Sequence, residues 1–129
     1  MTTQPGDLKY TKTHEWVRRR GQQIEVGITD FAQHQLSDIT YVELPAVGEK
    51  FTVNKEAVVV ESIKAASDVY APVAGVITEV NASLAATPEV INSDPYGAGW
   101  LFRMTPDLMT DVEMLMDGGQ YEFLLPKEH

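Results

Sequence analysis

The sequence predicts a mainly β domain, and three observations carry that prediction. Short apolar runs broken by turn residues dominate to about residue 104. Gln23-Ile24-Glu25-Val26-Gly27-Ile28 alternates polar with apolar, the period of a half-buried strand. The spacing Val42-x-x-Pro45-x-x-Gly48 returns 27 residues later as Val69-x-x-Pro72-x-x-Gly75. Two copies are too few for a solenoid, but they fit a β domain of two similar halves, each turning at its Pro-x-x-Gly. Coincidence stays open at this point, because Pro and Gly mark turns everywhere.

Residues 8–11 and 15–18 are strand candidates, followed by a turn at Arg20-Gly21-Gln22 and the alternating strand at 23–28. Asp30, with Gln33 three residues on, matches a capping box opening a short helix over 31–36. Residues 39–44 form the next strand, ended by Pro45 and turned by Gly48. Strands at 50–53 and 57–62 follow, with Asn54-Lys55 turning between them. Residues 68–70 are extended, because Ala71 precedes Pro72 and is biased away from the helical region. Gly75 turns the chain into a strand at 76–80. Residues 81–86 fit a helical turn, 88–96 an irregular loop, and 99–104 the last strand. The C-terminal quarter changes character. Thr110 with Glu113 has capping-box spacing, and Leu108, Val112 and Leu115 recur at helical intervals. Gly118-Gly119 is expected to end that helix, and Tyr121, Leu124 and Leu125 suggest a second helical turn. Both helices are expected to cap the β core, with Asp107, Asp111, Glu113, Asp117 and Glu122 facing solvent.

The 129 residues carry 10 Lys+Arg and 19 Asp+Glu, a net charge of −9, with 43% hydrophobic and 22% charged residues. That composition excludes disordered and collagen-like classes. The length suits one domain, 1–129, with a β core over about 8–104 and a C-terminal helical segment over about 107–125. So acidic a chain repels phosphate backbones and anionic lipid, so neither nucleic acid nor a membrane is expected as a partner. No apolar run approaches the ~20 residues of a membrane span. With no cysteine there is no disulfide, thiolate zinc site or cysteine nucleophile, and any thiol chemistry must come from an attached group. Residues 1–7 lack a basic region, an apolar core and an arginine-rich amphipathic pattern, so a cytoplasmic location is expected.

Enzyme signatures fail. His14-Glu15 begins like a zinc-protease helix, but the position four after His14 is Arg18. The three histidines are scattered, His129 being terminal, and a lone histidine is ordinarily solvated. Gly97-x-Gly99 lacks the third glycine and the preceding strand of a dinucleotide site. There is no Gly-x-Ser-x-Gly elbow and no phosphate loop, and nothing in the sequence pairs two carboxylates for acid/base work.

The informative segment runs from Val58 to Pro72. An apolar strand leads in, small residues form the tip, and an extended run leads out: a hairpin with Lys64 at its bend. A lysine on a tight turn is usually a solubility device, and geometry alone leaves that reading in place. Glu61-Ser62-Ile63-Lys64-Ala65-Ala66-Ser67-Asp68-Val69-Tyr70-Ala71-Pro72, however, closely resembles the lipoyl-attachment segment of the glycine cleavage system H-protein family. Further resemblance lies in Leu8-Lys9-Tyr10 with His14-Glu15-Trp16-Val17, in Gly27-Ile28-Thr29-Asp30 with Ala32-Gln33 and Leu36-Ser37-Asp38, in Val42-Glu43-Leu44-Pro45 with Gly48, and in Ile91-Asn92-Ser93 with Pro95-Tyr96 and Gly99-Trp100. These blocks span nearly the whole chain, in order.

The resemblance implies a barrel-sandwich hybrid of the lipoyl/biotinyl type, with short peripheral helices and a C-terminal helical segment. It implies lipoic acid joined by an amide to Lys64, giving a flexible arm tipped with a dithiolane. Glu61, Ser62, Ile63 and Ala65 would form the hairpin that a lipoate-attaching enzyme recognises. That enzyme must deprotonate the amine, which at neutral pH is almost wholly charged. The implied partners are the pyridoxal-phosphate glycine decarboxylase (P protein), the aminomethyltransferase (T protein) and dihydrolipoamide dehydrogenase (L protein). The methylamine group of glycine would pass from the first to the second on the arm, and the third would reoxidise it. Water would hydrolyse the loaded arm to formaldehyde and ammonia, so a cleft that shelters it has a clear use. A methylammonium there needs acceptors, and the resemblance places these at Thr13, Glu15 and Asp68, Thr13 standing where the family has serine. Glu15 and Asp68 also read as ordinary surface carboxylates, and Thr13 as a turn hydroxyl. Where family members often carry a histidine before the leucine of the first helix, this chain has Gln35. His34 is one place earlier, about 100° around a helix, and inherits no role. Ser37-Asp38 replaces the family's Gly-Asp.

Competing readings differ at the lysine. Lipoyl domains of 2-oxo acid dehydrogenases have Asp-Lys-Ala and Ala/Pro-rich linkers, and biotin carriers flank the lysine with methionines; this chain has Ile63 and Ala65. A divergent H-like relay or an unmodified interaction module would keep the fold without the cycle. The expectation is a monomeric carrier with no turnover of its own and no metal site.

Overall fold

The computed structural model describes residues 7–126; the N-terminal residues 1–6, which entered the reading of location, and His129 lie outside them. Among the described residues nine strands form two sheets. β1 (Lys9–Tyr10), β2 (Glu15–Arg20) and β3 (Gln23–Ile28) make an antiparallel meander that continues through β9 (Phe102–Pro106), β8 (Gly75–Val80) and β5 (Lys50–Phe51). The smaller sheet has β6 (Glu56–Ser62) between β4 (Ile39–Glu43) and β7 (Ala66–Tyr70). Helix α1 (Asp30–Leu36) joins the sheets. A 3-10 turn (Ala82–Ala85) and α2 (Val90–Ser93) separate β8 from β9, and α3 (Met109–Glu113) and α4 (Gly118–Leu124) close the chain.

The core follows from strand alternation. Ile24 and Val26 of β3, Val58 and Val60 of β6, Ile77 of β8, and Phe102 and Met104 of β9 are all buried in one cluster between the sheets. A second cluster holds Leu8, Tyr10, Trp16, Phe31, Tyr121 and Leu125. There the Tyr10 and Tyr121 rings stack at 4.8 Å, and the Trp16 indole N–H donates to the Pro95 carbonyl at 2.9 Å. The α4 helix thus packs its apolar face onto β1 and α1.

The repeated Pro-x-x-Gly acquires a physical meaning. β4 and β7 flank β6 in the small sheet, and after each Pro-x-x-Gly the chain enters the large sheet, where β5 and β8 pair. The Gly48 N–H donates to the Ile77 carbonyl at 2.7 Å and the Ile77 N–H to the Glu49 carbonyl at 2.9 Å, so the two exits bond to each other. Gly48 takes φ +91°, the left-handed region that favours glycine.

Several expected boundaries move. The strand expected at 50–53 ends at Phe51, because Asn54 turns with φ +67°. The last strand starts at Phe102, not residue 99: Gly99 and Trp100 donate to the Asp94 and Gly97 carbonyls and belong to a turn. The loop expected over 88–96 contains α2. Thr29, not Asp30, caps α1, its hydroxyl accepting from the Ala32 N–H, while Asp30 accepts from the Gln33 side chain. Thr110 caps nothing, since α3 starts after Leu108 without a side-chain cap, and Leu108 is exposed. Gly118 and Gly119 do not stop a helix; they open α4. Asp117 accepts from the Gln120 N–H and Gln120 accepts from the Asp117 N–H, a full capping box that fixes the start before the glycines can act as a stop.

A Cβ at Gly75 would lie 2.3 Å from the Thr105 carbonyl oxygen, on backbone that cannot yield, whereas one at Gly21 (φ +66°) meets nothing. Gly75→Ala is therefore expected to cost about 2–3 kcal/mol and Gly21→Ala about 1 kcal/mol, read as shifts in the urea midpoint. Equal costs would contradict the packing described at the β8–β9 pair.

Candidate functional site

The β6–β7 hairpin places Lys64 at its tip. Val58 and Val60 anchor β6 in the core, and the register pairs Val59 with Asp68, Val60 with Ser67 and Glu61 with Ala66. Ser62 organises the bend. Its hydroxyl accepts from the Lys64 and Ala65 N–H groups and donates to the Ala65 carbonyl, and its own N–H bonds that carbonyl at 2.8 Å. The Ile63 N–H donates to the Asp38 carbonyl at 3.0 Å, tying the tip to the α1–β4 junction. Glu61, Ile63, Lys64 and Ala65 are exposed. The Lys64 ammonium donates to the Gln35 carbonyl at 3.3 Å.

Beside the hairpin lies a cleft of about 410 Å³. The entry to β2 supplies Thr13, His14 and Glu15, α1 supplies Phe31, Ala32 and Gln35, and β7 supplies Ser67 and Asp68. Asn92 helps to hold the α1 wall: its amide donates to the Gln33 side chain and the Ser37 carbonyl, and its oxygen accepts from the Ile39 N–H.

Glu15 is not a surface carboxylate; only 1% of it is exposed. Its Oε1 accepts from the Thr11 hydroxyl and, at 2.5 Å, from the Thr13 hydroxyl, and its Oε2 accepts from the Tyr70 N–H at 2.9 Å. Burial pushes its pKa above the ordinary 4.5, and these three hydrogen bonds pull it back. A carboxylate has about four acceptor positions. Two hydroxyls and the Tyr70 N–H use three of them. Because both threonine protons go to Glu15, the Thr13 oxygen faces the cleft as an acceptor. Exposed Asp68 adds a carboxylate on the opposite wall.

His14 is not simply solvated. It is half-buried with φ +75°, its Nδ1 lies 2.7 Å from the Tyr121 hydroxyl, and its ring packs 4.8 Å from Phe31. Burial lowers its pKa. The structure brings Thr13, Glu15 and Asp68 into one cleft with Gln35, while His34 is exposed and lies outside the lining. Sequence reasoning missed Thr11, although Thr11-x-Thr13-x-Glu15 spaces two hydroxyls at every second residue before a carboxylate. It also missed the polar role of His14, whose partner Tyr121 is 107 residues away. Among the described residues no cluster of His, Cys, Asp or Glu is arranged to hold a metal, and no helix is long and apolar enough to cross a membrane.

Comparison with known proteins gives a consistent picture. The family described as glycine cleavage H-protein matches residues 8–128. A glycine cleavage system H protein of Thermus thermophilus is 53% identical over 124 residues, covering 96% of this chain and 97% of the relative. One from Acinetobacter baumannii is 49% identical over 118 residues, covering 92% and 95%. The crystal structure of a glycine cleavage system H protein from Mycobacterium marinum superposes with a TM-score of 0.85 at 39% identity, covering 93% of this chain and 97% of that one.

Since burial raises the Glu15 pKa, the folded chain holds that proton more tightly than the unfolded chain. Its contribution to stability is full below the ordinary carboxylate range and is lost as pH rises through the raised value. Urea unfolding across pH should show this fall in the wild type and lose it in Glu15→Gln, each referred to its own acid value. Parallel pH slopes would mean that Glu15 titrates as it does in the unfolded chain.

Proposed function

The chain belongs to the glycine cleavage H-protein family, the lipoyl carriers of the glycine cleavage system, and from that premise we propose that Lys64 bears the lipoyl group and that the neighbouring cleft shelters the arm's cargo. The protein is a carrier subunit without turnover of its own, built as a barrel-sandwich hybrid with short added helices. The observation that carries the assignment to Lys64 is its place at an exposed bend whose backbone is held by Ser62 and by the Asp38 carbonyl, beside a cleft lined by acceptors. An attaching enzyme meets an open amine with Glu61, Ser62, Ile63 and Ala65 around it. Amide formation removes the ammonium charge and leaves one N–H on the nitrogen that now donates to the Gln35 carbonyl.

When attached, the lipoyl group supplies the dithiol/disulfide couple that accepts a one-carbon amine, chemistry that a cysteine-free chain lacks. The residues of the chain bind and shield. The Glu15 carboxylate, the Thr13 oxygen and Asp68 suit a primary ammonium, which brings three donors and no acceptor. The acceptor set therefore fits the expected cargo. Thr11 and Tyr70 hold the Glu15 carboxylate in place, and the apolar walls formed by Phe31 and Ala32 limit access of water. The partners this reading implies are a lipoate-attaching enzyme, glycine decarboxylase, the aminomethyltransferase and dihydrolipoamide dehydrogenase.

Intact-mass measurement on protein from lipoate-replete cells is expected to show one lipoyl addition, absent from Lys64→Arg. A modified Lys64→Arg protein, or an unmodified wild type in the presence of a working attaching enzyme, overturns the assignment. Asp68→Asn should leave lipoylation intact and speed formaldehyde release from the loaded protein about tenfold, the loss of one hydrogen bond to a charged group. Release at the wild-type rate would remove Asp68 from the cargo site.

A further inference from the structure

The His14 imidazole stands at the cleft with one nitrogen committed and the other not. Thr29 is fully buried. Its oxygen accepts from the Ala32 N–H at 3.2 Å and lies 2.7 Å from the Tyr121 hydroxyl, which lies 2.7 Å from His14 Nδ1. Among the described residues the Tyr121 oxygen is the acceptor within reach of the Thr29 proton. Thr29 O–H therefore donates to Tyr121, Tyr121 O–H donates to His14 Nδ1, and a neutral His14 carries its proton on Nε2. Nε2 has no partner among the described residues. The residue is also held in a left-handed conformation, its N–H donating to the Thr11 carbonyl and its carbonyl accepting from the Thr29 N–H.

We propose that His14 is a binding residue of the cleft, locked by Thr29 and Tyr121 as the neutral Nε2–H tautomer, so that it offers a donor and no positive charge to a ligand carrying a primary ammonium beside a sulfur or oxygen acceptor. Thr13, Glu15 and Asp68 present acceptors, and the cleft needs a donor for the atom next to the amine. A charged imidazole would repel that ammonium. Protonating Nδ1 would reverse the relay: Tyr121 would turn its proton to Thr29, whose own buried proton would lose its acceptor. The groups facing His14 are Glu15 on its own segment, Asp68 from β7, Tyr121 from α4 with Tyr10 behind it, and the Phe31 ring from α1. Burial and the relay oppose protonation. The proposal rests on the carrier reading for the identity of the ligand but not for the tautomer.

The test is nitrogen-15 NMR of the unmodified protein through a pH titration, followed by glycine–bicarbonate exchange with the lipoylated protein and the decarboxylase. The wild type should show the Nε2–H pattern with Nδ1 accepting a hydrogen bond. Tyr121→Phe should populate the Nδ1–H tautomer and raise the protonation midpoint by about one pH unit, and the acid limb of exchange should move up with it. Thr29→Ser, which keeps the hydroxyl, should behave as the wild type. An Nδ1–H or charged His14 in the wild type at neutral pH overturns the proposal even if Tyr121→Phe does not fold, as does an exchange profile unmoved when the midpoint shifts. Failure of lipoylation would instead sink the carrier reading and leave the NMR result standing.

Discussion

The buried Glu15 carboxylate is the interaction on which the site depends. It sits where β2 of the large sheet begins and bonds the backbone of Tyr70 in the small sheet, so one side chain ties the two sheets together beside the hairpin. Its desolvation is offset by two hydroxyls and a backbone N–H, each from a segment whose position is set by other constraints. Thr11 and Thr13 lie in the turn that His14 closes in the left-handed region, and Tyr70 ends the strand that leads away from the lysine. Cleft, turn and hairpin are thus parts of one electrostatic arrangement.

The C-terminal helix reaches the same place by a longer route. Its capping box fixes where it starts, and Tyr121 then stacks on Tyr10 and threads its hydroxyl between His14 and Thr29. What the sequence pattern suggests is a peripheral cap therefore also braces His14, which lines the cleft. This is why the second apolar cluster, smaller than the main core, bears more directly on function: it aligns polar atoms, whereas the larger one joins sheets.

Much of the fold was legible in the residues, for identifiable reasons. Period-2 alternation located β3, the turn at Gly75 located β8, and the repeated Pro-x-x-Gly marked the two crossings between sheets. The hairpin and its lysine were legible because the bend is local, with Ser62 supplying nearly all of its bonds. The misreadings share a cause. Gly118-Gly119 looked like a stop and Thr110 like a cap because local signals compete, and the winner was the Asp117–Gln120 pair. For Glu15, placed by the resemblance among the cargo acceptors, a surface-carboxylate alternative stayed open because its partners include Tyr70, 55 residues away. His14 looked solvated because Tyr121 is further still. Neither partner leaves a local trace in spacing.

The bond from the Ile63 N–H to the Asp38 carbonyl has a mechanical consequence. With Ser62 bonding the inside of the bend and Asp38 bonding its outside, the backbone on either side of Lys64 is held. Whatever is tethered there sweeps a hemisphere set by tether length alone, without added slack from a wagging loop. A shorter sweep concentrates the tether's end near its own parking place, raising its effective concentration there. On the proposed carrier reading, an enzyme that takes the tether's end competes against that local concentration, so handover depends on how well it captures the tip.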